Sequence, residues 1–241
     1  MTLGSGVTTK DTLFGGRLTV HQPARDRGYR VNVDALLLAA FVGAKKCRSA
    51  FDLGSGVGAV GLSLLHLDVA AHVTMIEIDD ALATLAEDNV QANGWAGRVE
   101  VLRGDVKAVA KRHAGKADLV VCNPPYVAPG RGRTPHASRA RAKTGALSDF
   151  LDAARALAGR RCRVAFVYPA IEVTTLLSEL RLRGLEPKRM RFVHGKEAAP
   201  ARVVLVECAA AKPGGLSIEP PLVEVDRHGK RTAEVSALLS S

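Results

Sequence analysis

Apolar positions in this chain follow two alternating rhythms. From residue 48 onward, short apolar runs ("SAFDLGSG", "HVTMIEID", "RVEVLRGD", "ADLVVCNPPY", "CRVAFVYPA") alternate with segments whose apolar residues recur every three or four positions. The second kind comprises "VGLSLLHL", "ALATLAEDNVQANG", "VKAVAKRHA", "LSDFLDAARALAG" and "VTTLLSELRLRG". Continuous apolar runs suit strands covered on both faces, and helical spacing suits amphipathic helices. Their alternation predicts βαβ units and an α/β fold: a doubly wound, mostly parallel seven-stranded sheet with helices on both faces. The last two strand candidates, "PKRMRFVHG" and "ARVVLVECAA", have no helical pattern between them. A parallel crossover needs about a dozen residues, so one antiparallel strand is expected at a sheet edge.

The same pattern sets the domain organisation. Residues 1–47 read as an N-terminal extension with a helix over "NVDALLLAAFVGA", residues 48–210 as the α/β domain, and residues 211–241 as a Pro/Gly-rich C-terminal extension with a short hairpin around Gly229. Neither extension is long enough to bury a core of its own, so both are expected to belong to the same domain. No internal repeat is present.

Composition narrows the function classes. Apolar residues make up 47% of the 241, yet no window reaches the roughly 18 uninterrupted apolar residues that a membrane span needs. The start, "MTLGSGVTTKDTLFGG", lacks a basic n-region and an apolar h-region, so no secretory signal is expected and a cytoplasmic location is the default. Cys47, Cys122, Cys162 and Cys208 stand far apart and read as buried thiols, and the histidines form no metal-ligand pair, so no metal is expected. A formal charge of +10 favours a polyanionic partner. Arg-rich solvated faces also occur without one, so charge alone leaves nucleic-acid binding open.

Chemistry enters at "DLGSGVGAVGL", where Gly54, Gly56, Gly58 and Gly61 follow the first strand and lead into the first helix. Small residues there let a ligand approach the backbone at the carboxyl end of the sheet. Gly56-x-Gly58-x-x-Gly61 matches the dinucleotide pattern, with Glu77 as a ribose carboxylate. The same stretch resembles motif I of the class I S-adenosylmethionine-dependent methyltransferases, in which an acidic residue, here Asp52, just precedes the glycines. A carboxylate at that point suits a cationic amino-acid tail and would repel a pyrophosphate. Glu77 in "IEID" could then accept from both ribose hydroxyls, and Asp105 in "RGDV" could receive the adenine amino group. The resemblance thus implies a Rossmann-like methyltransferase fold and a cofactor site for S-adenosylmethionine built from Asp52, Gly54, Ser55, Gly56, Glu77 and Asp105. Acidic residues also cap helices at such junctions, and Asp79 and Asp80 read as caps of the "ALATLAEDN" helix.

The fourth strand ends "NPPY", and in a doubly wound sheet it lies beside the first. Asn123-Pro124-Pro125-Tyr126 resembles the signature of class I methyltransferases that modify planar, conjugated nitrogens: adenine or guanine amino groups and glutamine amides. Such a nitrogen is a poor nucleophile because its lone pair is delocalised, but it is neutral and needs no strong base. The Asn123 side-chain oxygen and the Pro124 carbonyl could each accept one N–H, the prolines would keep those acceptors rigid, and Tyr126 would stack on a flipped base.

"PGRGRTPHASRARAKTG" follows at once, with Arg131, Arg133, Arg139, Arg141 and Lys143 and no acidic residue. A cationic loop beside a base pocket is a candidate phosphate grip. The clusters Arg160, Arg161, Arg163 and Lys188 to Arg191 read as ordinary surface. Across nearly its whole length the chain is similar to the single-domain family that methylates the adenine beside the anticodon of a valine tRNA. The segments that carry the likeness include "GYRVNVDALLLA" ahead of motif I and "KPGGLSIEPPLVEVD" in the tail. In that family the segment before motif I closes over the methyl donor, which implies Arg30 and Asp34 at its methionine end, with helix capping as the other reading of Asp34. The resemblance implies an adenine-N6 methyltransferase of RNA, with tRNA as partner. A glutamine methyltransferase of a protein, an rRNA guanine-N2 methyltransferase, and a non-catalytic RNA-binding protein with a vestigial cofactor fold are the alternatives.

Overall fold

The computed structural model describes residues 8–24, 31–43, 45–124 and 147–240. Strands β3 (Cys47–Leu53), β4 (Ala70–Glu77), β5 (Val99–Arg103), β6 (Ala117–Cys122), β7 (Ala158–Pro169), β8 (Glu186–Lys196) and β9 (Ala201–Ala209) form the body of one sheet. From one edge the order is β5, β4, β3, β6, β7, β9, β8. The chain winds outward from β3 to β5, returns to β6 on the other side of β3, and so reverses direction there. That reversal opens a crevice at the carboxyl ends of β3 and β6.

Helices α2 (Ala59–His66), α3 (Asp80–Ala92), α4 (Val106–Arg112), α5 (Leu147–Leu157) and α6 (Val173–Leu182) are the crossovers. The sheet faces divide by the period of two that strands impose. Ala50, Leu119, Val121, Ala165 and Val167 turn to the face covered by α2 and by α1 (Val33–Val42). Phe51, Leu53, Val120, Cys122, Val164 and Phe166 turn to the face covered by α4, α5 and α6.

The antiparallel strand differs in place from the expectation. β9 lies inside the sheet between β7 and β8, antiparallel to both. The loop of residues 197–200 is too short for a crossover, so β9 must reverse beside β8, and it fills the gap left when β7 connects to β8 through α6. Among the described residues the sheet also has nine strands. Two short pieces of the C-terminal segment, β10 (Ser217–Ile218) and β11 (Leu222–Val225), run parallel to β8 and cover its edge. Their brevity and the flanking Pro220-Pro221 hide them from any periodicity argument. The hairpin expected around Gly229 is a turn closed by one bridge, Val225 to Arg231. A final helix, α7 (Ala233–Ser240), follows it.

A second feature absent from the sequence reading is a hairpin of β1 (Thr8–Leu13) and β2 (Leu18–Pro23), turned at Phe14–Gly16. Leu18 and Val20 of β2 are buried. Two asparagines one turn apart, Asn89 on α3 and Asn93 capping its C-terminus, join β2 as a neighbouring strand would. Asn93 accepts from Thr19 N–H at 3.0 Å and donates to Thr19 O at 2.8 Å; Asn89 accepts from His21 N–H at 2.6 Å and donates to His21 O at 2.9 Å.

No described helix is long and apolar enough to cross a membrane.

Candidate active site at the carboxyl edge of the sheet

β3 delivers the first site residue. Alternation turns Asp52 to the same face as Ala50, toward α2, where it is 1% exposed. Its Oδ2 accepts the Gly61 N–H at 2.9 Å, tying the end of the strand to the first turn of the helix. Burial pushes the Asp52 carboxyl up to about 7; the Gly61 hydrogen bond opposes the rise and the nearby Glu77 charge adds to it. The loop between β3 and α2 needs its glycines. Gly54, Gly56 and Gly58 have φ of +64°, +56° and +88°, a region that L side chains rarely adopt. Gly61 is required for space, since a Cβ there would stand 2.6 Å from Met75 Cε. In this loop the Ser55 N–H donates to Ile76 O at 3.0 Å, while the buried Ser55 Oγ has no partner among the described residues.

β4 brings Glu77 beside that loop, because Leu53 pairs with Ile76 in parallel register. Glu77 Oε2 accepts from Gly56 N–H and Oε1 from Asp79 N–H, each at 2.8 Å. A carboxylate has about four acceptor positions, so neither oxygen is saturated. Burial raises the Glu77 pKa, and these backbone donors hold the rise down. Beside it, the Ile78 side chain is 43% exposed, an apolar surface at the mouth of the crevice.

Two other strand-end carboxylates cap helices. Asp79 Oδ1 accepts from Ala81 and Leu82 N–H at the start of α3, in agreement with the capping expectation. Asp105, just beyond β5, is exposed, and its Oδ1 accepts from Lys107 and Ala108 N–H at 3.0 and 3.1 Å. Asp105 Oδ2 has no hydrogen-bond partner among the described residues.

β6 pairs with β3 so that Cys122 stands opposite Leu53. Asn123, half-buried, and Pro124, buried, therefore come level with the glycine loop. Alternation puts Asn123 on the face that Val121 and Asp52 share. On the other side β7 pairs Cys122 with Phe166, so half-buried Tyr168 ends its strand near Pro124. Pro125, Tyr126, Arg131, Arg133, Arg139, Arg141 and Lys143 lie outside the described residues, as does Arg30.

Asp34 is described. Asn32, not Asp34, caps α1 by accepting the Asp34 N–H at 3.1 Å. The Asp34 carboxylate, 1% exposed, pairs with Arg202 of β9 at 2.5 Å, and Arg202 also grips Glu224 of β11 through two hydrogen bonds. The start of α1 is thereby fastened to the C-terminal segment, a contact between distant parts of the chain that no local pattern announces. Asn89 is the other residue missed. Fully buried, it donates also to Val57 O at 3.0 Å, so one amide joins α3, the hairpin and the glycine loop. An Asn on the apolar side of an amphipathic helix was the available signal.

Among the described residues no group of three or more His, Cys, Asp or Glu is placed to hold a metal. Buried carboxylates, an unpartnered hydroxyl and a stiff amide end thus meet in one crevice, an arrangement able to hold a small cationic ligand against a second, planar polar group.

Residues 29–143 match the model of the methyltransferase small domain family. The tRNA1(Val) (adenine(37)-N6)-methyltransferase of Erwinia tasmaniensis is 32% identical over 187 residues, 76% of either chain. The enzyme of the same name from Parabacteroides distasonis is 28% identical over 205 residues, 83% of this chain and 84% of that one. Among solved structures, a predicted O-methyltransferase from Agrobacterium tumefaciens superposes with a TM-score of 0.69 at 22% identity, covering 85% of this chain and 94% of that one. M. jannaschii TYW2 in complex with AdoMet superposes with a TM-score of 0.59 at 14% identity, covering 86% and 88%. At such identities the structural likenesses speak to the fold.

Proposed function

This chain belongs to the family of the tRNA1(Val) (adenine(37)-N6)-methyltransferases and is an S-adenosylmethionine-dependent methyltransferase, and we propose that its acceptor is the exocyclic N6 of an adenine in tRNA. The observation that carries the reading is Asn123-Pro124 at the end of β6, level with the glycine loop of β3 and followed by Pro125 and Tyr126.

The residues of the crevice fit S-adenosylmethionine. Ser55 offers a buried hydroxyl without a partner, Asp52 a desolvated carboxylate that a cation would hold ionised, and Glu77 spare acceptor positions for two ribose hydroxyls. Gly54 and Gly56 keep the backbone open to close approach. Asp105 Oδ2 would accept from the adenine amino group, and Ile78 would cover the purine face. Arg30 would reach the methionine end, while Asp34, through Arg202, fixes the start of α1 that Arg30 precedes. S-adenosylmethionine supplies an electrophilic methyl group on a sulfonium.

At the acceptor the Asn123 side-chain oxygen and the Pro124 carbonyl each accept one N–H of the amine. Two acceptors on the amine hydrogens turn the nitrogen lone pair toward the cofactor edge and stabilise the positive charge that grows on nitrogen. As the N–C bond forms the sulfonium S–C bond would break to leave a neutral thioether, and the now cationic amine loses one proton to water; no strong base is needed because the amine starts neutral. Pro125 would hold the bend and Tyr126 would stack on the ring, a contact worth about 1–3 kcal/mol. Arg131, Arg133, Arg139, Arg141 and Lys143 would grip the flanking phosphates.

The test is labelled methyl transfer from S-adenosylmethionine into unfractionated tRNA by the purified protein, followed by nucleoside mass spectrometry. Label in N6-methyladenosine is expected. Label found in methylguanosine, or in a protein glutamine and in no nucleoside, would overturn the acceptor assignment.

A further inference from the structure

The opposite edge of the same sheet carries a second concentration of charge. β3, β6 and β7 are adjacent and parallel, so their first residues emerge side by side. Arg48 stands on β3, Lys116 immediately precedes β6, and Arg160 and Arg161 lie near the start of β7, where its register with β6 shifts. α4 ends at the same edge with Lys111 and Arg112. All six are exposed, and none pairs with a carboxylate among the described residues.

The surrounding groups explain why these six stand out. Two nearby carboxylates are engaged: Asp68 pairs with Lys46, and Asp118 accepts the backbone N–H groups of Arg48 and Ser49. The cations adjacent in sequence are also engaged. Arg163 donates to Val42 O and Glu207, Arg189 stacks 4.1 Å over the Phe41 ring and pairs with Glu219, and Arg191 donates to Pro220 O and pairs with Glu234. Arg163 ties the end of α1 to β7, and Arg189 and Arg191 tie α1 and the C-terminal segment to β8. Arg160 and Arg161, by contrast, have no structural task among the described residues.

We propose that this amino-edge surface binds the phosphate backbone of the RNA substrate at a point remote from the modified base. An exposed cation holds a single small anion weakly, whereas six along one edge of the sheet fit a chain of phosphates whose contacts add. β3 runs seven residues from Cys47 to Leu53, so about 20 Å separates this surface from the carboxyl edge at roughly 3.3 Å per residue. An isolated nucleotide or a short loop cannot reach both edges. An RNA of several nucleotides or more, single-stranded or folded, can. The inference rests on the reading that the acceptor base belongs to RNA.

The experiment compares the full-length protein with Lys116→Glu/Arg160→Glu/Arg161→Glu, using unfractionated tRNA as the probe. Expected are an unchanged melting temperature and unchanged S-adenosylmethionine affinity, a KM for tRNA raised at least tenfold, and kcat within twofold. The slope of log binding constant against log salt should become shallower by about 2 to 3, at 0.7–0.9 per lost phosphate contact. Lys111→Glu/Arg112→Glu, on a different element, provides an independent pair should the triple variant fold poorly. Unchanged slope and KM in both variants would overturn the proposal, as would a loss confined to phosphatidylglycerol vesicles with tRNA binding intact. Binding to tRNA that loses slope in the variants, with no methyl transferred by the wild-type protein, would refute the acceptor reading and sustain the surface.

Discussion

The two edges of one sheet handle charge in opposite ways. At the carboxyl edge Asp52 and Glu77 are buried carboxyl groups held by backbone N–H groups, with pKa values pushed up by desolvation. At the amino edge Arg48, Lys116, Arg160 and Arg161 are exposed, positive and unpaired among the described residues. A desolvated carboxylate discriminates, because a single well-placed cation removes a large local penalty. Exposed cations discriminate little individually and respond to salt, but they sum along a polyanion. The carboxyl edge is therefore suited to one small ligand and the amino edge to a long one.

The sharpest way to break that contrast is at Asn123. If the carboxyl edge divides into a cofactor part and an acceptor part, Asn123→Ala should lower kcat by about 10²–10³, the range seen when one oxyanion-hole donor is lost. Affinity for S-adenosylmethionine should stay within twofold, as measured by calorimetry. A parallel loss of cofactor affinity would mean that the edge acts as one undivided pocket.

Asp52 comes next in size. Its folded pKa, about 7, stands above the unfolded carboxylate value, so the folded state binds the extra proton between pH 4 and 7. The stability of the ligand-free protein from this group is therefore greatest below about pH 4 and is lost as pH rises through 7. S-adenosylmethionine should bind more tightly as pH rises across the same interval, because a cation needs the ionised form. Asp52→Asn should raise the ligand-free melting temperature at pH 8, since Asn can still accept the Gly61 N–H, while weakening cofactor binding by roughly 10- to 100-fold, about 1.5–3 kcal/mol for a charged hydrogen bond. A variant that melts lower at pH 8 and binds equally well would make Asp52 merely structural.

What could be read from the sequence divides along the same lines. The seven core strands and five crossover helices follow from periodicity, because each buries an apolar pattern against its immediate neighbours in the chain. The order of Asp52, Glu77, Asp105 and Asn123 could be read because each ends a strand, and strand ends in a doubly wound sheet converge. The hairpin β1–β2 could not: it is held by Asn89 and Asn93 from α3, across more than sixty residues of chain. Nor could the Asp34–Arg202–Glu224 link, in which three separate segments each contribute one charge. The amino-edge surface could not be assembled from the sequence for the same reason: Arg160 and Arg161 read there as ordinary surface, and the cations of β3, β7, α4 and the residue before β6 meet only once the sheet has formed.

Asp105 offers the smallest effect and the finest distinction. It differs from Asp52 and Glu77 in being exposed, and its Oδ1 is already spent on two backbone N–H groups of α4. As a cap alone, it would be replaceable by Asn, which caps equally well, whereas Ala would cost about 1 kcal/mol of stability. As an adenine contact it would use Oδ2, and Asn would present an NH₂ group there, donor against donor. Asp105→Asn should thus leave the melting temperature unchanged and weaken S-adenosylmethionine binding several-fold, and Asp105→Ala should lower both. Unchanged cofactor affinity in the Asn variant would return Asp105 to the purely structural role that Asp79 fills, leaving recognition at this edge to the two buried carboxylates.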